Sequence, residues 1–180
     1  TGQDGDTKTG AQWPDPRFTP VSCGDAGPCA DQDADCDANA SNDMVRDNLT
    51  GLVWARSGNL SPASQTWDNA IDFANGLTLC GHDDWRLPNI NELESLVSSG
   101  EPDVSAWLTT QGFLEVESPS RIDYWSSTTS KGNTALIYAV RLVGAGEIQG
   151  LSKALNYLKV LPVRGETTSP AQVWRTGQTL

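Results

Sequence analysis

Four cysteines and a run of carboxylates are where this chain concentrates groups able to do chemistry. Cys23, Cys29 and Cys36 surround the run Asp31, Asp33, Asp35 and Asp37, and Cys80 stands apart. Zinc takes thiolates in close pairs, mostly with histidine. Here five, six and forty-three residues separate successive cysteines, and His82 is the single histidine. A disulfide framework is the better reading, and it implies an oxidising compartment outside the cytoplasm. Four cysteines allow three pairings. The preferred one joins Cys23 to Cys29 and Cys36 to Cys80, the second tying the N-terminal segment to the core. Carboxylates at every second position of an irregular loop can converge on one hard cation, so Asp31, Asp33, Asp35 and Asp37 are candidate calcium ligands. The match to a helix–loop–helix calcium loop is poor, because Cys36 occupies the glycine position and Asn42 that of the bidentate glutamate. A solvated acidic loop held by disulfides is the other reading.

Enzymatic chemistry finds little support. His82 lies in a Gly-Asp loop, and no Gly-x-Ser-x-Gly elbow accompanies the many serines and aspartates. Glycosidase chemistry needs two carboxylates about 5–9 Å apart, and nothing in the chain singles out such a pair. Glu101-Pro102-Asp103 is similar to the tripeptide that holds calcium and sugar in true C-type lectins. Its usual companion Trp-Asn-Asp is missing, since Trp125 is followed by Ser126 and Ser127, so an ordinary proline turn is expected. The formal net charge of −11, from 12 Lys and Arg against 23 Asp and Glu, argues against nucleic acid and for divalent cations as counter-charge. No run of about 18 apolar residues occurs, which speaks against membrane insertion. The chain opens on Thr1 without an initiating Met, as a processed protein or a piece of a longer one would.

The elements that must position these groups can be read from periodicity. Trp67, Ala70, Ile71, Ala74 and Leu77 form a helical stripe with Thr66 as N-cap. A second short helix follows Trp85-Arg86-Leu87-Pro88, where Asn89 and Glu92 stand as a capping box and Ile90, Leu93, Leu96 and Val97 share one face; it ends near residues 98–100. Asp47-Asn48 and Thr50-Gly51 supply turn chemistry before the apolar run Leu52, Val53, Trp54. Residues 101–123 have no clear period and read as a long surface excursion. Beyond them the chain reads as sheet: 124–128, the alternating 136–143 closed by a Gly144–Gly146 turn, 146–150 and 155–163. Trp54, Trp85 and Trp125 sit in apolar strand patterns and are expected in the core, with Arg86 and Arg164 pairing with carboxylates or carbonyls beside them. Residues 1–20 read as an extended arm pinned at Trp13 and Phe18. In the tail, Trp174 is the only large anchor, and Thr176-Gly177-Gln178 echoes Thr1-Gly2-Gln3, as in a tandem array.

Four blocks taken in order carry a resemblance: Asp47-Asn48-Leu49-Thr50-Gly51-Leu52-Val53-Trp54, the stretch Trp85–Val97, Tyr124-Trp125-Ser126-Ser127-Thr128, and Pro162-Val163-Arg164-Gly165. Together the chain resembles the Lcl-type C-terminal domain family of bacterial surface proteins, a relative of the C-type-lectin-like and formylglycine-generating-enzyme folds. The resemblance implies an α+β, C-type-lectin-like fold: two short helices packed on a mainly antiparallel sheet, with long loops. The domain would span 44–165, between an arm and Cys/Asp-rich loop at 1–43 and a tail at 166–180. It also implies an extracellular or cell-surface domain that binds glycans or proteins without catalysis, because the oxidase relatives use a cysteine pair late in the fold and this chain has no cysteine after Cys80. The family's exposed, changeable face maps onto Thr129, Lys131, Asn133, Tyr138, Gln149, Lys153, Asn156 and Tyr157. A second expectation is a building block of an extracellular filament or array, with Trp13 and Trp174 anchoring arm and tail on neighbouring copies.

Overall fold

The computed structural model describes residues 14–23, 44–61, 63–116, 123–154 and 158–165. The turn at Asp47–Gly51 closes a hairpin between β2 (Met44–Asp47) and β3 (Val53–Ala55). Asp47 N–H donates to Leu52 O and Gly51 N–H to Asp47 O, both at 2.8 Å, and Gly51 takes φ +76°, where a side chain would be strained. A single strand was expected between Met44 and Arg56; the turn chemistry instead separates two.

The end of the N-terminal arm forms β1 (Phe18–Val21) and adds to β2, with Phe18 opposite Asp47. The ring of Phe18 is buried edge-on against Phe113 and Trp107, which makes it the anchor that the sequence indicated. On the far side β7 (Val163–Arg164) pairs with β3, giving an antiparallel sheet of order β1-β2-β3-β7. A second antiparallel sheet has the order β4-β5-β6, built from Asp123–Thr129, Leu136–Arg141 and Glu147–Ser152. Among the described residues the fold is therefore α+β with two antiparallel sheets rather than the one expected.

Helix α1 (Trp67–Asn75) is capped by Thr66, whose hydroxyl accepts from Asn69 N–H, and ends at Gly76. Its buried positions are Ala70 and Ala74, small enough to bring the helix close to Trp125, Ile137 and Ala139. Helix α2 (Ile90–Glu94) carries the complete Asn89–Glu92 capping box. It is shorter than expected: Leu96 and Val97 N–H donate three residues back, to Leu93 and Glu94, so the chain tightens and leaves the helix. Leu93 and Leu96 nevertheless pack with Trp54, Tyr124 and Val140 in one core cluster.

Two further expectations are corrected. Within the supposed surface excursion lies a third helix, α3 (Val104–Thr110), capped by Asp103, whose carboxylate accepts from Ser105 and Ala106 N–H. Val104 and Leu108 fall on one helical face and are buried. The disulfide joins Cys23 to Cys80, with Cα atoms 4.7 Å apart, not Cys36 to Cys80. The cause is long-range pairing: β1 runs antiparallel to β2 and ends with Val21 opposite Met44, beside a cluster of Met44, Leu79 and Trp85 on which Val21 and Cys80 pack. That delivers Cys23 to the tight Leu79–His82 turn. Cys29 and Cys36 lie outside the described residues, so the expected Cys23–Cys29 bridge is ruled out through its first member alone.

Candidate ligand-binding face

The Tyr-Trp-Ser-Ser-Thr block holds the second sheet in place. Trp125 is fully buried and its indole N–H donates to Gln65 O at 2.8 Å, while the Trp67 indole donates to Ser126 O at 2.9 Å. Between Trp125 and Thr129 the β4–β5 register shifts. At this irregularity the Ser126 hydroxyl donates to Tyr138 O, Ser127 N–H donates to Pro88 O at 2.8 Å, and Thr128 Oγ1 accepts from Ile90 N–H at 3.0 Å. The last bond satisfies one of the donors that a helix start leaves open. The block thus fastens β4 at once to β5 and to the beginning of α2.

Register decides which side chains share a face. Across β5 and β6, Tyr138 lies opposite Gly150, Val140 opposite Ile148 and Leu136 opposite Ser152. Helix α2 covers this face at Val140 but not at Tyr138 and Ile148, which are 36% and 46% exposed. They are the exposed large hydrophobic residues of the described part, and they stand side by side on one open surface. With glycine opposite, no side chain of β6 stands directly across from the tyrosine ring.

The expected binding residues do not all meet there. Gln149 lies opposite Ala139, on the face covered by α1, together with Glu147 and Leu151. Lys153 is on that side too, its ammonium 3.8 Å from the centre of the Trp67 ring. Lys131 and Asn133 are exposed in the β4–β5 connection, where Asn133 Oδ1 accepts from Ala135 N–H and shapes the turn. Thr129 ends β4 opposite Ile137. Asn156 and Tyr157 fall outside the described residues, as do Asp31, Asp33, Asp35, Asp37, Trp13 and Trp174. The sequence reading missed Ile148 and Gly150, because their exposure and their register with Tyr138 come from strand pairing that no local pattern encodes. Among the described residues no group of three or more His, Cys, Asp or Glu gathers as a metal site would, and no helix is long and apolar enough to cross a membrane.

Around this face, charged groups serve as locks. Asp47, fully buried, receives Arg17 through both carboxylate oxygens at 2.8 and 2.7 Å, and also accepts from Leu49 N–H, Thr50 N–H and the Thr50 hydroxyl. Arg86 grips Glu92 at 2.8 and 2.7 Å while Glu92 caps Asn89 N–H; this hydrogen-bonded carboxylate raises the Arg86 pKa. Arg164 holds Asp84 at 2.6 and 3.2 Å and keeps its carboxyl below the usual range. Arg141 lies 3.1 Å from Asp123 and 2.9 Å from Glu147. Tyr124 is pushed well above the ordinary phenol range, first by burial and then by the Glu115 carboxylate, so its hydroxyl stays protonated.

Asp47, Arg86, Glu92 and Arg164 of these locks sit in the sequence blocks that carry the resemblance, and the family model of the Lcl C-terminal domain matches residues 43–164. The chain belongs to the Lcl C-terminal domain family. In this Lcl C-terminal domain, the first block builds the Asp47 turn, the second the Arg86–Glu92 cap and the third the β4 fastening. The last brings Val163 against Arg86, with backbone bonds of 3.0 Å in both directions. The family signature thus describes a scaffold, and the Tyr138 face lies between its blocks. Comparison with curated proteins and with solved structures gave no match.

Proposed function

We propose that this domain is a non-enzymatic binding and adhesion module of an extracellular bacterial protein, and that it takes a neutral glycan on the open face around Tyr138. The observation that carries the reading is that solvent-exposed Tyr138 and Ile148 lie as diagonal neighbours on one sheet surface, with Gly150 opposite Tyr138. A sugar ring offers C–H groups to an aromatic face and hydroxyls to its surroundings, which matches an aromatic platform in a polar setting. The net charge of −11 disfavours sulfated or otherwise anionic chains, so neutral glycans are the ligand class to expect. A disulfide between Cys23 and Cys80 fits an oxidising location.

A glycan array probed with the wild-type chain and with Tyr138→Ala tests this. Tyr138 is partly exposed on a central strand, so its truncation should cost no more than about 1 kcal/mol. Retention of neutral glycans by the wild type and their loss by the variant is the expected result. Equal binding by both proteins, or binding confined to anionic glycans, would sink the proposal.

A further inference from the structure

A β-sheet edge exposes unpaired backbone donors and acceptors, and proteins close, blunt or use such edges. The described residues show what this chain does at each. The outer edge of β4 is covered by a crossing segment, with Trp125 N–H donating to Lys159 O and Lys159 N–H to Asp123 O at 3.0 Å each. The outer edge of β7 is covered by Arg86. In β1, Pro20 brings no N–H to the edge and its ring packs close to Gly112. Among the described residues β6 is the edge strand that neither a crossing segment nor a proline blunts, with Glu147, Ile148 and Gly150 exposed.

The outward-facing groups of β6 can be named. Lys153 N–H donates inward to Ala135 O at 3.1 Å, so by strand alternation the residues that turn N–H and C=O away from β5 are Ile148, Gly150 and Ser152. We propose that this edge pairs with the same edge of a second copy of the chain, antiparallel and two-fold about Gly150, joining the two β4-β5-β6 sheets into one. The strand is self-complementary in that register. Gly150 meets Gly150 of the other copy, Ile148 meets Ser152, and Glu147 meets Lys153, an opposite-charge pair made twice by the symmetry. The ladder would hold about six main-chain hydrogen bonds. Glu147 has room for the second cation, since its side chain is 62% exposed beside Arg141. A Cβ placed on Gly150 would meet no atom within 4 Å, so the sheet face above the centre of the contact is uncrowded.

Sedimentation velocity on the whole chain, without glycan and over a concentration series, tests the pairing independently of the binding proposal. The wild type should form a reversible dimer. Gly150→Pro removes an outward N–H at the axis, and Ile148→Lys places a charge on the edge; each should weaken dimerisation about tenfold or more with unchanged far-ultraviolet circular dichroism. Ile148→Lys alters only an exposed side chain, so it decides the matter if the proline variant fails to fold. A monomer at every concentration, a larger assembly, or a dimer indifferent to Ile148→Lys would overturn the proposal.

Discussion

Asp47 shows how much of this domain rests on single carboxylates. It is buried with Arg17 and gathers the turn's own N–H groups, so replacing it by alanine strips a buried guanidinium of its counter-charge. Asp47→Ala should cost about 3–5 kcal/mol, read as a lowered urea midpoint; a loss under about 1 kcal/mol would contradict that role. Asp103 acts more gently. Its pKa is lowered, chiefly by the Ser105 hydroxyl and then by the Ala106 N–H, so the group favours folding while ionised. That contribution is complete above the ordinary carboxylate pKa of about 4 and disappears as pH falls through the lower folded value. Asp103→Ala should therefore destabilise by about 1 kcal/mol at neutral pH and by progressively less in acid, checked by denaturation at pH 7 and pH 3. The tripeptide Glu101-Pro102-Asp103, which looks like part of a sugar site, has its aspartate committed to this cap.

At the scale of elements, local chemistry was legible and distant pairing was not. The capping box at Asn89 and Glu92, the Thr66 cap and the Asp47–Gly51 turn are each written within a few neighbouring residues. Helix α3 escaped notice because Val104, Trp107 and Leu108 span a single turn among threonines and serines, which favour it only once Asp103 caps it and the core receives Leu108. The disulfide partner of Cys80 depends on β1 docking against β2, an event that no spacing of cysteines encodes. Because the Cys23–Cys80 bridge closes a span of 57 residues, replacing both cysteines by serine should lower stability by about 2–4 kcal/mol, measured by thermal or urea unfolding. An unchanged midpoint would mean that β1 is held by its strand pairing alone. The binding face was half legible for the same reason: alternation shows that Tyr138 and Gln149 belong to strands, but only the register opposing Tyr138 to Gly150 reveals that their side chains point to opposite faces.

For the whole molecule, the family signature and the proposed binding surface occupy different places. Ion pairs and the buried Trp54, Trp85 and Trp125 fix the two antiparallel sheets and three short helices of the described residues, and the face bearing Tyr138 and Ile148 is left free of that framework. A scaffold locked in this way can vary its exposed strands without losing its fold, which is the arrangement expected of a recognition domain. Under the proposed reading, the acidic charge of the chain would select among ligands by repelling polyanions. The most direct test is a heteronuclear NMR titration with the neutral oligosaccharide that the array selects, following backbone amides across the second sheet. Shifts should concentrate at Tyr138, Ile148 and Gly150, with little change at Gln149 and Lys153 on the α1 side. Shifts centred on the α1 side, or none in the second sheet, would contradict a binding face at Tyr138.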